Sequence, residues 1–170
     1  MGDELRWKIA ELADEHELHG CFECGKCNAI CPLYNLFDDL DWRSSPRSIV
    51  EAGLDERDLT QGDAIWYCLQ CDACTEACPC EVGIRDFIAG VRILALEVGR
   101  DEHVRRCTRC GDPFAPLTTL EAIARRTADQ GAPPALLEVC PRCRTREFSV
   151  QARWSLGNLP VGDAPPGEPK

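Results

Sequence analysis

The sequence predicts a mainly α-helical protein whose larger part is organised around its cysteines. Apolar residues recur at helical spacing in several segments that begin or end at capping residues, glycine or proline. The chain also has 13 cysteines among its 170 residues, and eight of them form two runs of identical spacing. These observations divide the chain into an N-terminal helix (1–20), a cysteine-rich helical domain (21–99), a four-cysteine module (100–146) and a flexible C-terminal arm (147–170).

The cysteines are expected to be reduced thiols that bind metal rather than disulfides. Secreted disulfide-rich domains reach similar cysteine densities, but they follow a signal peptide. The first residues here are acidic, and no apolar segment follows them. The longest apolar stretch, residues 84–98, contains four charged side chains, so we expect no direct insertion into a membrane. The sequence therefore predicts a cytoplasmic protein.

Charge is distributed unevenly along the chain, whose formal net charge is −10. Residues 1–99 carry 8 basic and 20 acidic side chains, a net charge of −12, whereas residues 100–146 carry nine arginines and six acids. Because phosphate binding needs a basic surface, this acidic body predicts protein partners and no nucleic acid. The arginines of the C-terminal part would either dock an acidic neighbour or keep that part soluble.

Helices are predicted before, between and after the two cysteine runs. The first carries Leu5, Ile9, Leu12 and Ala13 on one face. A short helix over residues 45–53 would begin with Ser45 as N-cap and Pro46 at its first position, and Gly53 would stop it. Apolar residues then recur across residues 84–99, which predicts an amphipathic helix that covers the cysteine runs.

The two cysteine runs form an internal repeat. The first reads CFECGKCNAICP from Cys21 to Pro32, and the second reads CLQCDACTEACP from Cys68 to Pro79. Both have the pattern C-x2-C-x2-C-x3-C-P, and each cysteine of the second run lies 47 residues after its counterpart. This is the pattern of bacterial ferredoxins, in which four thiolates hold a [4Fe–4S] cluster, one thiolate on each iron. Structural zinc is the alternative, but it usually takes pairs of cysteines rather than triplets closed by Cys-Pro.

In ferredoxins with two such runs, the fourth cysteine of each run binds the cluster of the other run. Applied here, this rule predicts two crossed ligand sets. Cluster A would be held by Cys21, Cys24, Cys27 and Cys78, and cluster B by Cys68, Cys71, Cys74 and Cys31. Because each set ties the two halves of the repeat together, we expect the metal-free protein to be largely disordered over residues 21–80.

The residues around the runs resemble the C subunit of heterodisulfide reductase and related helical dicluster ferredoxin subunits. The resemblance covers about residues 15–99 and includes Arg47, Trp66 and the segment from Val82 to Arg92. It implies an alpha-helical ferredoxin domain that passes electrons between a flavin-bearing subunit and a catalytic subunit. The catalytic partner in that family carries Cys-Cys-Gly tracts. This chain has no adjacent cysteine pair, so we expect it not to reduce a disulfide itself.

A second metal site is predicted in the C-terminal module. Cys107, Cys110, Cys140 and Cys143 form two C-x2-C pairs with glycine or proline beside the thiols, as in a structural zinc ribbon. The alternatives are iron, as a single ion or a third cluster, and an empty site. Between the pairs, Thr118 and Glu121 would form the capping box of a helix that stops at Gly131. Residues 112–116 with the second pair resemble the C-terminal tail of ferredoxin-like subunits of formate-hydrogenlyase-type complexes.

Some candidate ligands are not assigned a role. Cys80 has no counterpart in the first run, where Leu33 stands, so it is interpreted as a spare thiol with the option of replacing Cys78. His103 lies four residues before Cys107, but four cysteines already fill that site. His16, His19 and His103 are all interpreted as solvated surface residues.

Together these features predict an iron–sulfur electron-transfer subunit of a multisubunit oxidoreductase of the heterodisulfide-reductase-like, hydrogenase or formate dehydrogenase type. Its own role would be non-catalytic, because no catalytic arrangement of side chains stands out. Its cofactors would be two [4Fe–4S] clusters and one zinc ion, or iron, at the C-terminal site. A freely diffusing ferredoxin and an iron–sulfur or zinc redox sensor remain the alternative functions.

Overall fold

A computed structural model describes residues 2–38, 40–131 and 133–146. The α-helices in this part of the chain are α1 Gly2–Glu15, α2 Lys26–Ile30, α3 Leu33–Leu36, α4 Pro46–Leu54, α5 Ala73–Glu76, α6 Ile84–Glu97 and α7 Leu117–Thr127, and residues 141–146 are also helical. Short 3-10 turns lie at Leu18–Gly20, Trp42–Ser44, Ala64–Trp66, Ala128–Gln130 and Pro134–Leu137. Two strands, β1 Val104–Arg106 and β2 Pro113–Pro116, form an antiparallel pair. The predicted mainly helical fold is therefore confirmed for the described residues.

No helix among the described residues combines the length and apolarity that crossing a bilayer requires. The predicted arm, residues 147–170, lies outside the described residues.

The core lies between α1, α4 and α6. On α1, Leu5, Ile9 and Ala13 are buried, as the predicted helical spacing required. The close approach of α1 to α6 depends on Gly90, where a Cβ would lie 2.7 Å from Cδ2 of Leu12. Packing of this apolar face, rather than intrinsic helix propensity, therefore positions α1 against the metal-binding part of the chain.

Helix α4 begins as predicted but does not end as predicted. Ser45 is its N-cap, with its side chain accepting a hydrogen bond from the Ser48 N–H, and Pro46 follows at the first position. Gly53 is not the stop, since the helix continues to Leu54. Gly53 is buried instead against Phe87, where a Cβ would lie 2.6 Å from the ring atom Cζ. The glycine is required for the close contact of α4 with α6 and not for ending the helix.

Helix α6 is the central element of the core. Its buried face consists of Ile84, Phe87, Ile88, Val91, Arg92 and Ala95. The helix ends at Glu97, and Gly99 follows with a φ of 77°, a left-handed conformation that glycine adopts at little cost. The predicted amphipathic helix over residues 84–99 is confirmed to within two residues at its end.

The C-terminal module packs against the main body through α7. Ala122 on α7 is buried with Leu33 and Phe37, which follow the first cysteine run. The predicted capping box is wrong: α7 begins at Leu117 without a side-chain cap, and the Thr118 hydroxyl donates to the carbonyl of Trp66 instead. A capping box is a local pattern, but here the Thr118 hydroxyl bonds to a carbonyl 52 residues away in sequence instead of to its own helix.

Candidate metal centres

The internal repeat of the sequence is also a repeat of backbone conformation. Glu23 and Gln70, which occupy equivalent positions, both have positive φ values of 59° and 53°. Gly25 and Asp72, the next equivalent pair, have φ values of 77° and 69°. Non-glycine residues rarely adopt this left-handed region, so three of the four positions are strained in the same way. The strain makes each run turn sharply, so that successive cysteines face a common space.

Helices α2 and α5 are the equivalent single turns within the runs, and they contact each other. Their backbone hydrogen bonds match: the N–H of Asn28 bonds to the carbonyl of Gly25, and the N–H of Thr75 bonds to that of Asp72. Pro32 caps α3 directly after the first run, whereas Pro79 is followed by a turn and α6 begins only at Ile84. The two halves are therefore alike within the runs and differ after them.

Each half of the repeat borders one cavity, and each cavity is lined by cysteines of both runs. The first cavity has an empty volume of about 400 Å³, including its open mouth. Its cysteines are Cys21, Cys24, Cys27, Cys78 and Cys80. The second cavity has an empty volume of about 420 Å³ on the same measure. Its cysteines are Cys31, Cys68, Cys71 and Cys74. We call these the first and the second centre.

The two centres lie side by side on the same two helices. On α4, Val50 lines the first centre and its neighbour Ile49 lines the second. On α6, Ile84 lines the first and Ile88 lines the second. Ile84 and Ile88 are four residues apart on one helix, or about 6 Å along its axis. Groups bound in the two cavities would therefore be close neighbours.

Some thiols of each centre are unfavourable as bare anions. Burial raises the pKa of Cys27, and its neighbours Cys21 and Cys24 raise it further. Burial likewise raises the pKa of Cys74 to about 11, with Cys68 and Cys31 as further causes. A bound cation removes this penalty because it stabilises the thiolates, so crowded thiols of this kind fit a metal centre.

Charged side chains border both centres. Arg47 lies at the first centre and is held by Glu23 at 2.7 Å and Glu51 at 3.0 Å. Arg85 lies at the second centre, 3.1 Å from Asp72 and 2.9 Å from Asp86. Both arginines therefore have carboxylate partners at the surface.

Two residues that the sequence left without a role have defined positions. Cys80 lines the first centre together with the four cysteines assigned to cluster A. His103 is not the solvated surface residue that was expected: it lies outside both centres and stacks on Trp66, with ring centroids 6.2 Å apart. Spacing could identify Cys80 as a nearby thiol, but no local signal places His103 against an aromatic ring so distant in sequence.

The four cysteines of the C-terminal module form a separate, tighter group. The sulfurs of Cys107, Cys110, Cys140 and Cys143 all lie within 4.8 Å of one another. Among the described residues, this is the one group of three or more cysteine, histidine or acidic ligands that is so compact. The Sγ atoms of Cys110 and Cys140 are 3.8 Å apart. A tetrahedral ion with metal–sulfur bonds of about 2.3 Å separates its ligands by about 3.8 Å, so this spacing fits a single bound ion.

Backbone N–H groups favour the thiolate of Cys107. The N–H of Cys140 approaches its sulfur at 3.3 Å and that of Arg109 at 3.4 Å. The bond from Cys140 is the main reason that the pKa of Cys107 falls to about 6. The pKa of Cys143 rises instead to about 12, first because of its hydrogen bond with Cys140. One thiolate is thus preformed at neutral pH, while the Cys143 thiol would lose its proton on binding a metal.

Comparison with known protein families matches residues 17–82 to the family described as a 4Fe-4S dicluster domain. Residues 17–82 are therefore similar to 4Fe-4S dicluster domains. The matched range contains both cysteine runs and the whole insert between them, while the C-terminal cysteine group lies outside it. The matched range therefore includes the cysteines of both cavities and none of the compact third group.

The chain is also similar to iron–sulfur subunits of known redox enzymes. The chain is 34% identical over 91 residues to an iron-sulfur C subunit of CoB–CoM heterodisulfide reductase from Methanocaldococcus jannaschii, a match to 54% of this chain and 47% of that protein. It is 34% identical over 107 residues to the C subunit of ferredoxin:CoB–CoM heterodisulfide reductase from Methanosarcina mazei, covering 62% of this chain and 63% of that one. The glycolate oxidase iron-sulfur subunit of Escherichia coli is 28% identical over 104 residues, which are 59% of this chain and 24% of that protein.

These relatives confirm the resemblance to the C subunit of heterodisulfide reductase and support an electron-transfer subunit. The match to a glycolate oxidase protein shows that similar domains occur in a second kind of enzyme. The chain spans between about half and two thirds of the length of the heterodisulfide reductase proteins described above. The resemblance of residues 112–146 to formate-hydrogenlyase-type subunits is not covered by the dicluster match and stays a prediction.

Proposed function

We propose that this chain is an electron-relay subunit that holds two [4Fe–4S] clusters in its dicluster domain. The observation that carries the proposal is the composition of the two cavities. Each is lined by three cysteines of one run and the fourth cysteine of the other run. Cys21, Cys24, Cys27 and Cys78 would hold cluster A in the first centre. Cys68, Cys71, Cys74 and Cys31 would hold cluster B in the second centre.

The spacing of the sulfurs supports clusters rather than single ions in these two centres. No three of their cysteines form a group as compact as the C-terminal four, within the part of the chain that the structure describes. Thiolates that each bind a different iron of one cluster must lie further apart than thiolates around one ion. The cavities also offer space between the sulfurs, which a single ion does not need.

When bound, such clusters supply one-electron redox chemistry. The chain itself binds them, orients them and limits their contact with water. Ile49 and Val50 on α4, with Ile84 and Ile88 on α6, are apolar and would separate both clusters from the solvent on one side. Because the same two helices line both cavities, the separation of the clusters would be fixed, as a relay requires.

The partners we propose are a flavin-bearing subunit on one side and a catalytic subunit on the other, in a cytoplasmic complex. The matched relatives support a multisubunit redox complex, since they are named as subunits of heterodisulfide reductases. The complex would be of the heterodisulfide-reductase-like, hydrogenase or formate dehydrogenase type. Co-purification at fixed stoichiometry with redox subunits is the expected result, whereas a monomer that exchanges electrons alone would make the chain a freely diffusing ferredoxin.

We also propose that Cys107, Cys110, Cys140 and Cys143 hold one zinc ion in a closed structural site. The support is their compact geometry, four soft ligands and the low pKa of Cys107. A single iron ion has the same ligand preferences and is the alternative. A third cluster is disfavoured, because these sulfurs are too close together to bind four different irons.

Metal and sulfide analysis of anaerobically purified protein tests the whole assignment. We expect about eight iron, about eight acid-labile sulfide and about one zinc per chain. About twelve iron without zinc would place a third cluster in the C-terminal site. A folded, colourless protein without reducible iron would contradict the proposal.

A further inference from the structure

Arg92 is the one charged side chain that is buried among the described residues, with 8% of its surface exposed. It lies on the inner face of α6. Its Nε and Nη2 donate to the carbonyl of Ile65 at 3.0 and 2.6 Å, and Nη2 also donates to the carbonyl of Cys68 at 2.6 Å. Its guanidinium lies over the Trp66 ring, 5.3 Å from the centroid. The cation is therefore held directly against the backbone of a cysteine of the second centre.

No carboxylate within the described part of the chain pairs with this cation. Its described polar partners are carbonyl groups and the face of one aromatic ring. Burying a charge without a counter-ion is costly, and burial accordingly lowers the pKa of Arg92, although a guanidinium stays protonated at neutral pH. The negative charge that would compensate it is available next to Cys68, where four thiolates would hold a cluster. The side chain thus has the position and charge of a counter-ion for the second centre.

The first centre lacks an equivalent cation among the residues that the structure describes. Lys26 and Arg47 border it, but Lys26 is exposed, and Arg47 is about one third exposed and bound by two carboxylates. Arg85 at the second centre is neutralised at the surface in a similar way. Because water and salt screen exposed charges far more than buried ones, Arg92 is the main electrostatic difference between the two centres.

We propose that Arg92 is a charge-positioning residue that makes the cluster of the second centre easier to reduce than the cluster of the first. The proposal rests on the proposed function, since it requires both clusters. Reduction adds one electron to a cluster, and a fixed cation nearby stabilises the added negative charge. At equilibrium an electron shared by the two centres would then reside mainly at the second.

The test compares Arg92→Gln, which removes the charge, with Arg92→Lys, which keeps it. The matched control is Arg100→Gln, because Arg100 is partly buried but pairs with Asp58 at 3.0 Å, and its described side-chain hydrogen bonds go to Asp58 and Thr60 rather than to a cysteine. Each anaerobic, cluster-loaded protein is titrated with reductant while paramagnetic resonance follows the reduced clusters. Two further variants, Cys24→Ala and Cys71→Ala, each perturb one centre and so assign the two reduction potentials.

For Arg92→Gln we expect the reduction equilibrium of the second centre to become at least tenfold less favourable, which is about 59 mV for one electron. The first centre should change by less than threefold. Arg92→Lys and Arg100→Gln should leave both centres within threefold of the parent protein. Equal shifts at both centres, no shift in Arg92→Gln, or a shift in Arg92→Lys as large as in Arg92→Gln would overturn the proposal.

The Gln variant has a structural risk because Arg92 also fixes residues 65–68. If Arg92→Gln does not bind its full iron, Arg92→Lys decides. An unchanged reduction potential of the second centre supports the charge role, and a reduction equilibrium of that centre that is tenfold less favourable contradicts it. Failure of the proposed function would be seen earlier and differently, as the absence of two reducible four-iron centres in the parent protein.

Discussion

Replacing Gly53 with alanine tests how closely α4 and α6 must approach each other. The added Cβ would lie 2.6 Å from Cζ and 3.1 Å from Cε1 of Phe87, and 2.9 Å from Cδ2 of Leu18. Overpacking of a core costs about 1–3 kcal/mol. Alanine in place of glycine inside a helix returns about 0.8–1.0 kcal/mol of helix propensity. We therefore expect the free energy of unfolding to fall by about 0–2 kcal/mol, because the Phe87 ring is fully buried and cannot move away freely.

The assay is anaerobic urea unfolding of the cluster-loaded protein, followed by far-ultraviolet circular dichroism and by the cluster absorbance. Phe87→Leu shortens the side chain that the new Cβ would meet. The variant that carries both Gly53→Ala and Phe87→Leu should therefore be at least about 0.5 kcal/mol more stable than the sum of the two single destabilisations predicts. Because α4 and α6 line both centres, Gly53→Ala should also speed the loss of cluster colour. A Gly53→Ala protein stabilised by about 1 kcal/mol would show that Gly53 is an ordinary helix position and refute the reasoning.

Three further predictions concern helix starts and the C-terminal site. Ser45→Ala should destabilise the protein by about 1 kcal/mol in urea unfolding, because it removes the side-chain cap of α4. Thr118→Ala removes no helix cap, but it removes the hydrogen bond to the Trp66 carbonyl, so hydrogen exchange should show α7 less protected by about 1 kcal/mol. Zinc binding at pH about 7.5 should release fewer than four protons, measured by calorimetry in buffers of different ionisation enthalpy. The pKa of Cys107 is about 6, so this residue is already a thiolate there and contributes a proton only as the pH falls toward 6 and below. Release of all four thiol protons at that pH would contradict this pKa.

Features that depend on local pattern were predictable from the sequence. The helical spacing of apolar residues gives α1 and α6, and Ser45 with Pro46 gives the start of α4. The offset of 47 residues between the cysteine runs corresponds to the repeated left-handed backbone at Glu23 and Gln70. In each case residues near one another in sequence determine the outcome.

Features that depend on contacts across the fold were not predictable. Gly53 has the sequence context of a helix stop, but Phe87 and Leu18 occupy the space that a side chain there would need. Thr118 has the context of a helix start, but its hydroxyl finds the Trp66 carbonyl. Arg92 occupies an inward position of an amphipathic helix. The pattern alone does not indicate that the carbonyls of Ile65 and Cys68 accept hydrogen bonds from its guanidinium.

The crossed assignment of ligands is the central claim, and differential alkylation of Cys31→Ala tests it most directly. Free thiols of the anaerobic variant are alkylated under native conditions, and mass spectrometry then identifies the modified cysteines. Loss of Cys31 should empty the second centre, so we expect Cys68, Cys71 and Cys74 to be modified while Cys21, Cys24 and Cys27 stay protected and about four iron remain. Modification of Cys21, Cys24 and Cys27 with protection of the second run would show that each run holds its own cluster, and would contradict the account.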